Sequence, residues 1–374
     1  MRRFTTLLLS LTLLTGGVRC ASAPPADVVR LSAAPAPIQR PFPVPIVVLH
    51  GSSADLGQQH GQQLDEPIHV LHDKYLTVFL KNQMQRYLAI GAAKLFEGQL
   101  LPAHQQEIAA LAKGTGIDEN ETMLGQCFLD LSRMAACSTM TFPADASTDH
   151  VARFGRNLDF WSLNVADKYT TLFIVRPDDG RYAFASVGWP GMIGVLSGMN
   201  EHGLSLANME VTREPRLPHA MPYTILYRTI LEQCRTVDEA VALLQKTPIQ
   251  TANNLMLMDA TGNRAVAELS PDTGVHIRRG LPEHVLISTN HQRDQDQDTA
   301  GRCWRYDYIH QTAAAEFGHV DLAAIESMLA HTGSKITLQS MVFEPANRVI
   351  YLSAGTDAAH HEYSRLDLRP YFKR

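Results

Sequence analysis

The chain has 374 residues, is 45% hydrophobic and 7% aromatic, and carries a formal net charge of −5. That composition supports one large core or two modest ones, and with no lysine or arginine block it argues against nucleic acid or an anionic membrane surface as a partner. Five cysteines (Cys20, Cys127, Cys137, Cys234, Cys303) without a CxxC pair make neither a disulfide framework nor a metal site.

At the start, Arg2-Arg3 precede the apolar run Leu7 to Leu14, with Gly16-Gly17 after it. A short basic region followed by a short apolar run predicts an export signal over residues 1–23, too short to span a bilayer. The expected location is periplasmic or secreted. Cys20 adds a lipoprotein reading, and membrane contact is expected only through such an anchor. Residues 24–45, rich in Ala and Pro, predict an extended linker.

Folded structure is expected from "IVVLHG" at 46–51. From 62 to about 135 the spacing is helical, and "PAHQQEIAALAKG" predicts a helix from Pro102 to Gly114. After Cys137 the texture changes to short apolar runs between turn signals. Asp259-Ala260-Thr261-Gly262-Asn263 joins two of these runs as a hairpin. Many are apolar on both faces, which predicts a sheet covered on both sides. Helices interrupt them: "TVDEAVALLQKT" opens with the capping-box pair Thr236 and Glu239, and "VDLAAIESMLAHTG" opens at Asp321 and closes at Gly333. Helices first, then strands with inserted helices, predict an α+β fold with layered packing.

The chemistry centres on "AACSTM", where Cys137 follows Ala135-Ala136. A thiol becomes a nucleophile when a neighbour takes its proton or lowers its pKa. An α-amino group, with a pKa of about 7.7–8.0, is one such base. It serves only if Cys137 is the first residue of a chain, which requires a cut between Ala136 and Cys137. The cysteine can make that cut itself by attacking the preceding carbonyl. Downstream, Arg156 and Asp159 stand three residues apart in "FGRNLDF". Taken alone, the pair also reads as a surface ion pair, and Cys137 as an inert buried thiol.

Six segments in order resemble the N-terminal-nucleophile hydrolases, specifically the acyl-CoA:6-aminopenicillanic-acid acyltransferase family, whose relatives include acid ceramidase and N-acylethanolamine amidase. They are "HGSSADLGQQHG" (50–61), "CSTM", "FGRNLDF" (154–160), "GWPGMIGVLSGMNEHGLSLANME" (188–210), "NNLMLMDATGNRAVAEL" and the pair "STNH" (288–291) with "CWRYDYI" (303–309). The resemblance implies a four-layer αββα sandwich, with two antiparallel sheets between helical layers. It implies a small chain, 46–136, and a large chain, 137–374, which stay associated in one catalytic domain after self-cleavage. It assigns Cys137 as nucleophile, Asp159 as holder of the freed amine, Arg156 as the charge beside the thiol, Asn254 as oxyanion donor with Asn253 as the alternative, and Arg305 as a brace. Glu210 is expected near the nucleophile. Phe160, Trp161, Trp189 and Leu196 are expected to line an acyl pocket. His60 is read as a helix-packing residue and His360-His361 as surface.

The expected activity is hydrolysis of, or acyl transfer from, a linear small-molecule N-acyl amide or acyl thioester through a Cys137 acyl-enzyme, with no cofactor. Two rivals stay open: an uncleaved binding protein, and a conventional thiol hydrolase that pairs Cys137 with a histidine.

Overall fold

The computed structural model describes residues 42–132, 135–212, 217–280, 285–293 and 303–373. The export signal and the linker as far as residue 41 lie outside them. "IVVLHG" forms strand β1 (Ile46–Gly51), the expected start of the fold. Five helices follow: α1 (Ser53–Gln63), α2 (Asp65–Phe79), α3 (Gln83–Glu97), α4 (Pro102–Thr115) and α5 (Glu119–Leu131). Ser52 opens α1 through a capping box with Asp55, satisfying two of the helix's orphan donors.

The α1–α4 crossing depends on glycine. A Cβ on Gly57 would lie 2.0 Å from the Glu107 carbonyl oxygen, and one on Gly61 would lie 2.9 Å from the Gly114 Cα. Gly114 therefore does not end α4 as its spacing predicted. It faces Gly61 inside the helix, and Gly116, at φ +71°, forms the left-handed cap.

The remaining strands are β2 (Ala136–Phe142), β3 (Arg153–Asp159), β4 (Thr171–Pro177), β5 (Phe184–Gly188), β6 (Ser197–Asn200), β7 (Ser205–Glu210), β8 (Asn253–Met258), β9 (Arg264–Ser270), β10 (Gly274–Arg279), β11 (Leu286–Ser288), β12 (Thr337–Glu344), β13 (Val349–Ala354) and β14 (Ser364–Asp367). Later helices are α6 (Tyr223–Gln233), α7 (Val237–Lys246), α8 (Trp304–Ala315), α9 (Leu322–Thr332) and α10 (Arg369–Phe372). Asp321 caps α9 as its sequence predicts, accepting from the Ala324 N–H at 2.8 Å. Thr236 caps α7, but the Glu239 carboxylate turns to the Arg235 N–H at 2.6 Å, so only half of the predicted capping box forms.

The strands make two sheets, ordered β1-β4-β5-β6-β7-β8-β9-β10 and β11-β2-β3-β12-β13-β14. All pairings are antiparallel except β1 with β4. The sheets meet face to face where β2 lies on β7 and β11 on β9. Helices α1, α6 and α7 cover the outer face of the larger sheet, and α8 and α9 that of the smaller. The result is the αββα layering. Between the sheets, alternate residues of β3 and β12 (Phe154, Leu158, Met341, Phe343) share one apolar core with Cys137. The opposite parity (Met140, Phe142, Val342) packs with Ile325 and Leu329 of α9.

The segment before Cys137 is built into the fold. β1 supplies an edge of the larger sheet. A buried charge network ties α4 to α6: Arg228 donates to both Glu107 oxygens at 2.8 and 2.6 Å and to Glu232 at 2.8 Å, while His104 lies 2.9 Å from Glu232. These residues are 1% exposed or less. Removing one partner from such a network leaves an unpaired buried charge, typically at a cost of about 3–5 kcal/mol. His60 is the packing residue its position in α1 suggested. It lies 4.9 Å from the Phe173 ring and its Nε2 accepts the Gly191 N–H at 3.0 Å. Desolvation, reinforced by the Arg228 charge, lowers its pKa to about 3.

Candidate active site

β2 places Ala136 opposite Asp159, Cys137 opposite Leu158 and Thr139 opposite Arg156. Cys137 is fully buried. Side chains alternate along a strand, so Cys137, Thr139 and Arg156 share the inter-sheet face and Asp159 takes the other parity. The Thr139 hydroxyl, 3.3 Å from Met209 Sδ, fixes that face as the one against β7.

Arg156 and Asp159 are not an ion pair with each other. Arg156 donates Nε to Ser197 Oγ at 3.0 Å and Nη1 to the Asn157 carbonyl at 2.8 Å, and it is wholly buried. Asp159 accepts from Arg305 Nη1 at 3.1 Å and from Thr337 Oγ1 at 2.5 Å. The surface-pair reading fails for both residues because each sits under the opposite sheet or under α8. Arg305, in the first turn of α8, is 7% exposed and also donates Nη2 to Asn290 Oδ1 at 2.9 Å. Its charge is thus turned inward.

Asn290 is the residue the sequence reading passed over. Its Oδ1 accepts the Cys137 N–H at 2.8 Å, and its Nδ2 donates to the Glu210 carbonyl at 2.7 Å. The quoted "STNH" contained it, but so common a tetrapeptide gives no signal alone. Ser197 and Thr337 were also missed; hydroxyls from distant strands have no local signature.

Burial pushes the Cys137 thiol above the ordinary cysteine value, and the Arg156 charge pulls against it. Burial likewise raises Asp159, against the pull of Arg305 and Thr337. No histidine hydrogen-bonds to Cys137 among the described residues. The cysteine drawn toward histidine is Cys303: although burial opposes it, hydrogen bonds with His291 and Thr289 lower its pKa to about 6.

Asn254 lies on the inter-sheet face, opposite Met209. Its amide is engaged: Nδ2 donates to the carbonyls of Thr289 at 2.9 Å and His291 at 2.8 Å. Any oxyanion role for it requires exchange of one of these bonds. Asn253 pairs with Glu210 on the other parity. Glu210 accepts the Ala135 N–H at 3.2 Å, beside the segment that leads into Cys137.

An apolar cavity of about 130 Å³ lies between α2, α5 and the strand ends, lined among others by Leu71, Tyr75, Phe128, Phe160, Trp189 and Met192. The Phe160 and Trp189 ring centroids lie 5.1 Å apart, tilted by 33°, and Tyr75 lies 5.9 Å from both Phe128 and Phe160. Two expected lining residues are elsewhere. Trp161 is 43% exposed, its carbonyl bound by the Tyr75 hydroxyl at 2.6 Å, because the chain leaves β3 there and turns outward. Leu196 is buried in the core outside the cavity wall. His360, as expected, is at the surface, with Asp357 at 2.7 Å.

Comparison with known proteins bears on this arrangement. The family model described as acyl-coenzyme A:6-aminopenicillanic acid acyl-transferase matches residues 147–314. The match is a likeness to that family over less than half of the chain. The matched region holds Arg156, Asp159, Glu210, Asn254, Asn290 and Arg305, and begins after Cys137. A curated relative, protein dcd1A of Dictyostelium discoideum, is 24% identical over 227 residues, 52% of this chain and 51% of that protein. The chain thus spans about half the length of that relative. Among solved structures, an N-acylethanolamine-hydrolyzing acid amidase ortholog of Caenorhabditis elegans is 16% identical, with a TM-score of 0.47 over 56% of this chain and 93% of its own. A conjugated bile acid hydrolase mutant of Clostridium perfringens gives 14% and 0.42 over 63% and 93%. Penicillin V acylase of Agrobacterium tumefaciens gives 15% and 0.36 over 60% and 76%.

Proposed function

We propose that this protein is a self-cleaving cysteine hydrolase or acyltransferase of linear N-acyl amides, of the kind its family match suggests. The Cys137 thiol attacks the Ala136 carbonyl, the peptide becomes a thioester, and water releases a chain that begins with Cys137. The freed α-amine then serves as base for the thiol beside it. A substrate carbonyl is attacked in turn, the amine leaves protonated, and water or a second amine resolves the acyl-enzyme.

The observation that carries this reading is the separate support of the two working atoms of Cys137. Its nitrogen is held by Asn290, and Arg305 joins Asn290 to Asp159. Its sulfur shares a face with the buried Arg156. A merely structural cysteine needs neither. Asn254 is the candidate oxyanion donor, Glu210 supports the approach to the cut, and the cavity at Phe160 and Trp189 receives the acyl chain. The small chain would stay bound through β1 and the Arg228 network. The basic, apolar leader supports export, which favours amide hydrolysis over transfer from acyl-CoA.

Intact-mass analysis of the purified protein tests the reading. Wild type is expected as two chains divided at Ala136–Cys137, and Cys137→Ala as one. An uncut wild type with full amidase activity would refute the amine-base mechanism.

A further inference from the structure

Gln339 is wholly buried, yet neither its Oε1 nor its Nε2 has a hydrogen-bond partner among the described residues. Leaving an amide unpaired in a core costs stability, and an apolar side chain of similar shape would not carry that cost. The position is not remote. Gln339 lies opposite Leu158 on β3, and Leu158 lies opposite Cys137 on β2. Its parity is that of Met341 and Phe343, which pack in the inter-sheet core with Cys137. Phe160, at the wall of the apolar cavity, continues the same face of β3 two residues beyond Leu158. A group joined to the Cys137 sulfur therefore starts in the row that holds Gln339, with Leu158 between the two. Two strand spacings, about 10 Å between Cα positions, separate the two residues. A glutamine side chain from one end and the first carbons of an acyl group from the other span that gap.

We propose that Gln339 is a specificity residue for the acyl group, reading a hydroxyl or amide on its second or third carbon. The inference rests on the Cys137 acyl-enzyme proposed above. A primary amide offers two donors and an acceptor, and a hydroxyl or carboxamide satisfies both kinds. An unbranched alkyl group satisfies neither and leaves the amide buried and unpaired beside it. Sites built around such a polar group discriminate strongly against ligands that lack its partner.

The test uses the 4-nitroanilides of hexanoic and 3-hydroxyhexanoic acid with the processed enzyme. Wild type is expected to favour the hydroxylated substrate in kcat/KM by about 10². Gln339→Met should bring that ratio near one and raise Tm by about 2–4 °C, because the unpaired amide is gone. An unchanged ratio in Gln339→Met, no preference in wild type, or a fall in Tm would each overturn the assignment, the last by showing that the amide is structural. Failure of the underlying reading is distinct: wild type would then cleave neither anilide. In that case thermal shift with the free acids decides, on Cys137→Ala and on Cys137→Ala/Gln339→Met. A larger shift with 3-hydroxyhexanoate than with hexanoate, lost with Gln339, supports the assignment; equal shifts overturn it.

Discussion

The main-chain nitrogen of Cys137 donates to Asn290 Oδ1 across 2.8 Å, although 153 residues separate the two. The same oxygen accepts from Arg305 at 2.9 Å. A nitrogen that would become the catalytic amine is thus already fixed in the uncut chain, by a neutral acceptor whose own position is set by a cation.

From this follows the behaviour of Asn290 variants. Asn290→Ala removes the acceptor and is expected to lower kcat on N-acyl amides by about 10², with little change in KM. Asn290→Asp places a carboxylate beside the amine, raising its pKa and moving the acidic limb of the pH–rate profile to higher pH. Steady-state kinetics across pH checks both, and an unmoved limb in Asn290→Asp would place the working base elsewhere.

Asn254→Ala is expected to lower kcat by about 10²–10³. It also frees the carbonyls of Thr289 and His291. The two effects separate by comparing self-cleavage and turnover, which both form an oxyanion. Loss of turnover with normal self-cleavage would mean that Asn254 only anchors the segment around Asn290, and Asn253 would be tested next.

How far the site was legible depended on the kind of signal. Cys137, Arg156, Asp159 and Arg305 stood in short motifs whose order could be read, and the change from helices to strands showed where helical spacing gave way to short apolar runs. Asn290, Ser197 and Thr337 act only after sheet packing and α8 bring them in. Trp161 misled because composition cannot tell which of two adjacent aromatics the chain turns inward. The strand order was likewise invisible: β1 pairs with β4 across more than a hundred residues, and nothing local encodes that.

Acid should destabilise the fold through His60. Its pKa is lowered to about 3 in the native state, by desolvation first and by Arg228 second. The unfolded chain takes up a proton near pH 6.5 that the native state refuses, so stability falls as pH drops from about 6.5 toward 3. Glu232, held down to about 2 by Arg228 and His104 against burial, adds to the loss as pH falls below the unfolded carboxylate value. Thermal unfolding against pH should show this slope. His60→Gln, which keeps an acceptor for Gly191, should flatten it between pH 6.5 and 5; an unaltered slope there would reject His60 as its source.

The α1–α4 crossing gives a paired stability test. Gly57→Ala drives a methyl against the Glu107 carbonyl and is expected to cost about 1–3 kcal/mol. Gly91→Ala, on α3 with nothing within 4 Å, should instead stabilise by about 0.5–1 kcal/mol. Equal effects of the two in denaturant unfolding would show that the crossing relaxes freely.

Strand β1 has a consequence for what becomes of the protein after a cut. It closes one margin of the larger sheet by pairing with β4 from Ile46 to Gly51. A large chain stripped of its partner would bare the β4 backbone along its length, an open template for recruiting other strands. Dissociation would therefore be a one-way route to insoluble material rather than a reversible resting state. A refolding protocol that starts from the separated pieces should fail where one that starts from the intact precursor succeeds.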